Sequence, residues 1–319
     1  MLYIYRIIFF DQKLEIKKYF VMKPKYLLTL MAIFISLLTI AQNTYIPDDN
    51  FEQGLIDLGY DDVLDDYVLT ANIIGVTVLN IDSKNISNLT GIEDFVALLY
   101  LTCSSNQLTS LNISNNIALE HLSIGQNQLT SLDVSNNIAL RYIDCRLNQL
   151  TGLDCSNNIG LDQITCESNQ LTSLNVSNNI ALEYLYCQSN QLTSLNVSNN
   201  IALKHLYCHS NKLTGLDVST NIALWQLSCN DNQLTSLDVK NGNNVNFIWF
   251  DATNNPNLTC IQVDDAAWST AHWTGIDPTA SFSEDCGPPP SIPYTNRAIY
   301  VVIFLVAAFL VVRFRKMIA

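Results

Sequence analysis

Basic side chains are nearly absent from the body of this chain. Residues 42–296 carry 27 acidic and six basic side chains, a balance of −21 against −13 for all 319 residues. Such a body repels nucleic acid and anionic lipid, so no nucleic-acid partner is expected. Histidine is as scarce: His121, His205, His209 and His272 are all there are. His205 and His209 flank Cys208 like a metal pair. On a strand, however, they stand about 13 Å apart and the cysteine faces the other way. No Gly-rich phosphate loop, nucleophile elbow or paired acid in a cleft is found. EF-hand and nonapeptide calcium motifs are missing too, so Asp48-Asp49, Asp61-Asp62 and Asp65-Asp66 read as a solvated acidic cap. No enzyme chemistry, cofactor or metal site is therefore expected.

What the chain has in abundance is repetition. A 21-residue unit starts at Asn106, Asn127, Asn148, Asn169, Asn190, Asn211 and Asn232, with a degenerate copy at Asn85. Self-similarity at this period means a solenoid, each unit burying its apolar edge against its neighbours. The spacing of Leu140, Ile143, Cys145, Asn148 and Leu150 resembles the leucine-rich-repeat family. The resemblance implies a short strand per coil, stacked into a parallel sheet, with Asn148 bonding backbone groups of the turn. Ile143 and Cys145, two apart, then point inward. Leu129, Leu132, Val134 and Asn137 repeat the same spacing within one coil, so an extended segment is expected on the back as well. No copy has room for a full back helix. The expected fold is an α/β leucine-rich-repeat solenoid, β-rich, about eight coils and on the order of 40 Å long.

Open ends need caps. Ile46 to Leu58 reads as a short amphipathic helix capped by Asp48, Asp49 or Asn50, with Phe51, Leu55 and Leu58 on one face. Its opening, Ile46 to Gln53, resembles the N-terminal cap of internalin-like and flavobacterial surface proteins. The expected order is an extension plus signal peptide over 1–41, an N-terminal cap over 42–84 and the solenoid over 85–253. A C-terminal cap over 254–286, a Pro-rich linker over 287–297 and a transmembrane or sorting tail over 298–319 follow. Lys23 and Lys25 before an apolar run, with Thr39 and Ala41, place cleavage before Gln42. The start is Met1 or Met22. Ala298 to Val312 is apolar and is followed by Arg313, Arg315 and Lys316, which orients the repeats outside. The tail resembles sorting tails of Bacteroidetes. Export across the inner membrane to the cell surface, with anchoring through the C-terminal helix, is the expected localisation.

Of nine cysteines, Cys145, Cys166, Cys187, Cys208 and Cys229 recur every 21 residues, with Cys103 in phase and Ile124 and Phe250 in the same slot. A slot shared by Cys, Ile and Phe is a packing slot, and Cys155 fills one on the back. Cys260 and Cys286 lie off the grid and are expected to form a disulfide worth roughly 3 kcal/mol.

Outward columns on the back barely vary: Thr130, Thr151, Thr172; Asp133, Asp154, Asn175; Ser135, Ser156, Ser177. The front columns do vary. They bring Tyr184, Tyr186, His205, Tyr207 and His209 together, with Tyr142 nearby and Trp225, Phe247 and Trp249 extending the patch. Aromatics with polar tips anchor protein interfaces and stack on sugars. The expected function is a cell-surface binding or adhesion protein for an extracellular protein or glycan. The alternative is a structural envelope or biofilm-matrix spacer without a ligand.

Overall fold

The computed structural model describes residues 42–287. The expected signal peptide, most of the Pro-rich linker and the apolar tail lie outside that range. Among the described residues no helix is long and apolar enough to cross a membrane.

The chain opens with β1 (Asn43–Tyr45), helix α1 (Asp49–Asp57), β2 (Tyr67–Leu69) and the single turn α2 (Thr70–Ile73). Seven strands follow: β3 (Val78–Asn80), β4 (Tyr100–Thr102), β5 (His121–Ser123), β6 (Tyr142–Asp144), β7 (Gln163–Thr165), β8 (Tyr184–Tyr186) and β9 (His205–Tyr207). Back and front strands then alternate as β10 (Gly215–Asp217), β11 (Gln226–Ser228), β12 (Ser236–Asp238), β13 (Trp249–Asp251) and β14 (Cys260–Gln262). Helix α3 (Ala266–His272) and β15 (Ser281–Ser283) end the described chain. The front sheet is wholly parallel and has nine strands, β3 to β9, β11 and β13. It starts one rung before the repeat grid, because the segment ahead of Asn85 already contributes β3.

Strand pairing in constant register stacks like on like. Ile143 pairs with Ile164, Leu185 with Leu206 and Tyr186 with Tyr207. The inward residues Ile143, Ile164, Leu185 and Leu206 are fully buried, as are the thiols of Cys103, Cys145, Cys166, Cys187, Cys208 and Cys229. Burial pushes all these thiols far up in pKa. They therefore stay protonated and pack as small hydrophobes. Cys155 sits fully buried in the back column with Val134 and Val176.

Two asparagine ladders satisfy the turns. In the first, Asn169 Nδ2 donates to Cys145 O (3.0 Å) and Cys166 O (3.1 Å), while Oδ1 accepts from Leu150 N (2.9 Å). In the second, Asn179 Nδ2 donates to Cys155 O (3.1 Å) and Asn158 O (2.9 Å). The residue before each first-ladder asparagine is left-handed, including Leu147 at φ 53°. That conformation costs a non-glycine residue roughly 1–2 kcal/mol, and the ladder bonds hold it in place.

The expected extended back segment pairs into named strands toward the C-terminal end, where β10, β12, β14 and β15 make a second sheet, and in mid-solenoid by a single parallel bridge between Asp154 and Asn175. Elsewhere the back is held by side-chain turns. Asp133, Asp154, Asn175 and Asn196 each accept from the backbone N–H two residues on, at 2.9–3.1 Å. This accounts for the sameness of the back column: Asx turns need a short carboxylate or amide there.

The last front rung departs from the 21-residue grid. Gln226 pairs with Trp249, Leu227 with Phe250 and Ser228 with Asp251, a step of 23. A 3-10 turn over Asn244–Asn246 takes up the extra residues. Phe250 therefore stands in the leucine column, and Ala252, which is 1% exposed, takes the slot after Cys229. Phe247, expected on the front surface, is buried instead, its ring 5.3 Å from Trp273.

At the N-terminal end Asp48 caps α1, accepting from Asn50 N and Phe51 N, both at 3.1 Å. Its second oxygen accepts from Ser87 N, Ser87 Oγ and Asn88 N at 2.7–2.9 Å, which ties the helix to the first coils. Phe51 and Leu55 are buried, whereas Leu58 at the helix end is exposed. Glu52 is fully buried and gathers the amides of Asp65, Asp66 and Tyr67 at 3.0–3.1 Å. Burial alone raises the pKa of Asp48. The hydroxyl and amide of Ser87, with the amides of Phe51 and Asn88, outweigh it and hold the carboxyl below the usual range. The folded state thus favours the ionised form, so its contribution is complete above the unfolded value of about 3.9 and lost as pH falls through the lower folded value. Asp48→Asn is expected to cost about 2 kcal/mol at pH 7 in urea titrations. The gap from the parent should close below pH 4; a gap independent of pH would contradict this assignment.

At the other end Cys260 and Cys286 form a disulfide, with Cα atoms 5.8 Å apart. Trp273 stacks on Phe250 at 4.2 Å and lies 5.7 Å from Phe282. Gly275 lies against the open edge of the front sheet: its carbonyl accepts from Ala252 N at 2.8 Å, and a Cβ there would lie 2.5 Å from Phe250 O.

Candidate functional site

Parallel register turns the outward front residues into columns, and on this sheet the columns collect aromatics. His205 on β9 is the hub of the larger group. Its ring meets Tyr184 edge-on at 4.9 Å and Trp225 edge-on at 4.8 Å, and Nδ1 lies 3.0 Å from Tyr186 Oη. Tyr186 meets Tyr207 edge-on at 5.3 Å. Tyr207 Oη in turn donates to Gln226 Oε1 at 2.6 Å. These edge-to-face contacts, each worth about 0.5–1.5 kcal/mol beyond area, hold the rings half-buried. Little side-chain entropy is left to lose when a ligand covers them.

Electrostatics keep the patch close to neutral within an acidic body. Burial, with Lys204 adding to it, holds the pKa of His205 below its usual value, so the imidazole is neutral at pH 7. Lys204 Nζ is paired with Glu183 at 2.6 Å and lies 5.9 Å from the Tyr184 ring centre. Burial also raises the pKa of the Tyr186 phenol, which therefore stays protonated as a donor.

A second, smaller stack lies toward the N-terminal end. His121 stacks on Tyr142 at 4.1 Å with the planes 7° apart, and on Tyr100 at 5.6 Å. Tyr100 is 43% exposed. It stands 21 residues before His121, so extending the column back by one rung would have found it. Gln163 and Thr165 of β7 separate the two groups.

Of the expected surface residues, Tyr184, Tyr186, His205, Tyr207 and Trp225 come together. Tyr142 belongs to the second stack. His209 lies past the strand end with Nδ1 3.1 Å from Ser210 Oγ. Trp249 is 54% exposed and borders a groove of about 590 Å³ shared with Trp268 and His272 of α3. Phe247 contributes to the floor of that groove from the core. Among the described residues no three His, Cys, Asp or Glu side chains are placed to share a metal ion.

No family model matches the chain, and no curated protein does. Solved structures do. The chain is similar to internalin C2 of Listeria monocytogenes at 21% identity, over 70% of this chain and 98% of that one, with a TM-score of 0.51. It is also similar to a TDR receptor at 18% identity, over 61% of this chain and 41% of that one, with a TM-score of 0.52. The functional domain of InlJ from Listeria monocytogenes, which includes a cysteine ladder, matches at 24% identity over 76% and 70% of the two chains, with a TM-score of 0.33. The likeness to internalin C2 and to the TDR receptor is one of fold, and together with the nine-rung parallel sheet it makes this chain a leucine-rich-repeat solenoid.

Proposed function

We propose that this chain is a binding protein that presents the front aromatic group to an extracellular protein or glycan. The N-terminal apolar run supplies export, and the C-terminal apolar segment tethers the solenoid at the cell surface. One contrast carries the reading. The back column of Asp133, Asp154, Asn175 and Asn196 has scaffold work, since it makes the Asx turns, whereas among the described residues the rings of Tyr184, Tyr186, His205, Tyr207 and Trp225 bond and pack with one another and with Gln226 and make no hydrogen bond to the backbone of any coil. Neutral, pre-packed rings with phenol and imidazole tips suit a sugar face or an apolar protein anchor with a polar rim.

The test is a glycan and surface-protein binding screen with the purified chain, repeated with Tyr186→Ala/Tyr207→Ala. A loss of about 100-fold is expected, as for the centre of a protein interface. Thr172→Ala on the back should bind as the parent does. Undiminished binding by the folded double variant, or no binder at all for the parent, would favour a spacer without a ligand.

A further inference from the structure

The turn leading from back to front places one isoleucine per coil in solvent: Ile117, Ile138, Ile159, Ile180, Ile201 and Ile222. Each is 58–64% exposed. Val96 and Val245 continue the line at its two ends, 45% and 62% exposed. Constant register sets them about 4.8 Å apart, the spacing of paired strands. The result is one straight apolar ridge along the solenoid, separate from the aromatic front columns.

The scaffold makes no use of these side chains. In the same turn Asn137 bonds Ile113 O and Asn116 O, Asn136 bonds Ser114 O and Leu140 is buried in the core. Ile138, between them, points away from all of this, and a threonine would serve the turn as well. Over its six isoleucines the ridge also runs through a strip without charge, whereas Glu93 and Asp94 precede Val96 at its N-terminal end. From serine to leucine, residues 114–119, 135–140, 156–161, 177–182, 198–203 and 219–224 hold no charged residue, in a body with 27 acidic side chains. Depletion of charge around exposed apolar side chains marks the core of an interface. At their stated exposures the eight side chains offer roughly 800 Å², what each partner contributes to a standard stable interface.

We propose that this ridge binds a second copy of this chain. Knobs at a fixed pitch fit best between knobs of the same pitch, and another copy carries that pitch by construction. A two-fold axis near the middle of the ridge, a quarter of the pitch from the midpoint between Ile159 and Ile180 on the Ile180 side, sets the two ridges antiparallel and lets the knobs of each fill the gaps of the other.

Site-directed disulfide trapping in the full chain tests this. The seven free native thiols are buried, so background linkage is low. Under mild oxidation Ile180→Cys should give a covalent dimer on non-reducing gels in at least tenfold higher yield than Thr172→Cys on the back of the same coil. Adding Ile138→Asn, Ile159→Asn and Ile201→Asn to Ile180→Cys should cut that yield at least tenfold, with the circular dichroism spectrum retained. Equal linkage at Thr172→Cys, linkage that survives the three asparagines, or no dimer from Ile180→Cys would each overturn the proposal. The Thr172→Cys comparison decides even if the multiple variant misfolds.

Discussion

Asn169→Ala is expected to lower the stability of the solenoid by about 4 kcal/mol, the largest loss from any single side chain considered. The amide of Asn169 reaches three buried backbone groups at once and so joins successive coils. Alanine removes these bonds, with a longer one to Glu167 O at 3.3 Å, and leaves Leu150 N–H without an acceptor in a region closed to water. Each stranded group costs about 1–3 kcal/mol, while a bond replaced by water costs little. Asn178 is the control: its Nδ2 donates to Ser156 O at 3.1 Å, but the pair is exposed. Asn178→Ala should cost under ~1 kcal/mol, because water replaces the bond. A break in mid-ladder also weakens coupling between the coils on either side, so the urea transition should broaden as well as shift. Equal midpoints for the two variants would show that the first ladder adds no more than the exposed one.

The period was legible in the residues because stacking forces it: a slot that must hold a small apolar group in every rung shows itself as Cys145, Cys166, Cys187, Cys208 and Cys229. The aromatic hub was legible for the same reason, since rungs of constant length map sequence offsets onto neighbours in space. That mapping failed where rung length changed. The 21-residue grid carried Cys229 to Phe250, an apolar residue, so the slot looked filled. The ladder asparagine held the better signal, because Asn232 is followed by Asn255, a step of 23. A constant 21-residue step through the last strand put Phe247 on the surface and Phe250 in the thiol column. Glu52 was also out of reach. Its three amide donors lie 13 to 15 residues away in a loop with no periodicity, and a lone glutamate on an amphipathic helix reads as solvated. The back strands were only half legible. Leucine and valine spacing sets which residues point inward, but whether the backbone pairs there depends on the exact path of the turns on either side.

Reduction of the Cys260–Cys286 disulfide, or Cys286→Ser, is expected to cost the C-terminal cap about 3 kcal/mol, from the entropy regained by a loop of this length. The separation is 26 residues. Cys260 and Cys286 are both part-exposed while the seven other thiols are buried and already reduced, so a reductant acts on this pair alone. The loss should stay local, because each coil of a solenoid touches only its neighbours. Between the two cysteines lie Trp273, which covers Phe247 and Phe250, and the loop that brings Gly275 O to Ala252 N. Freed from the bond, β15 and that loop fray first. The amides of Val263, bonded to Ser283 O, and Ala252 should then exchange with solvent about 100-fold faster, the conversion of that cost at 1.4 kcal/mol per tenfold. Amides of the central rungs, such as Cys166 bonded to Tyr186 O, should exchange as before. If Val263 and Ala252 stay protected after reduction, the cap is held by its aromatic core alone. If the central rungs lose protection along with them, the solenoid unfolds as a single unit and the nearest-neighbour picture is wrong.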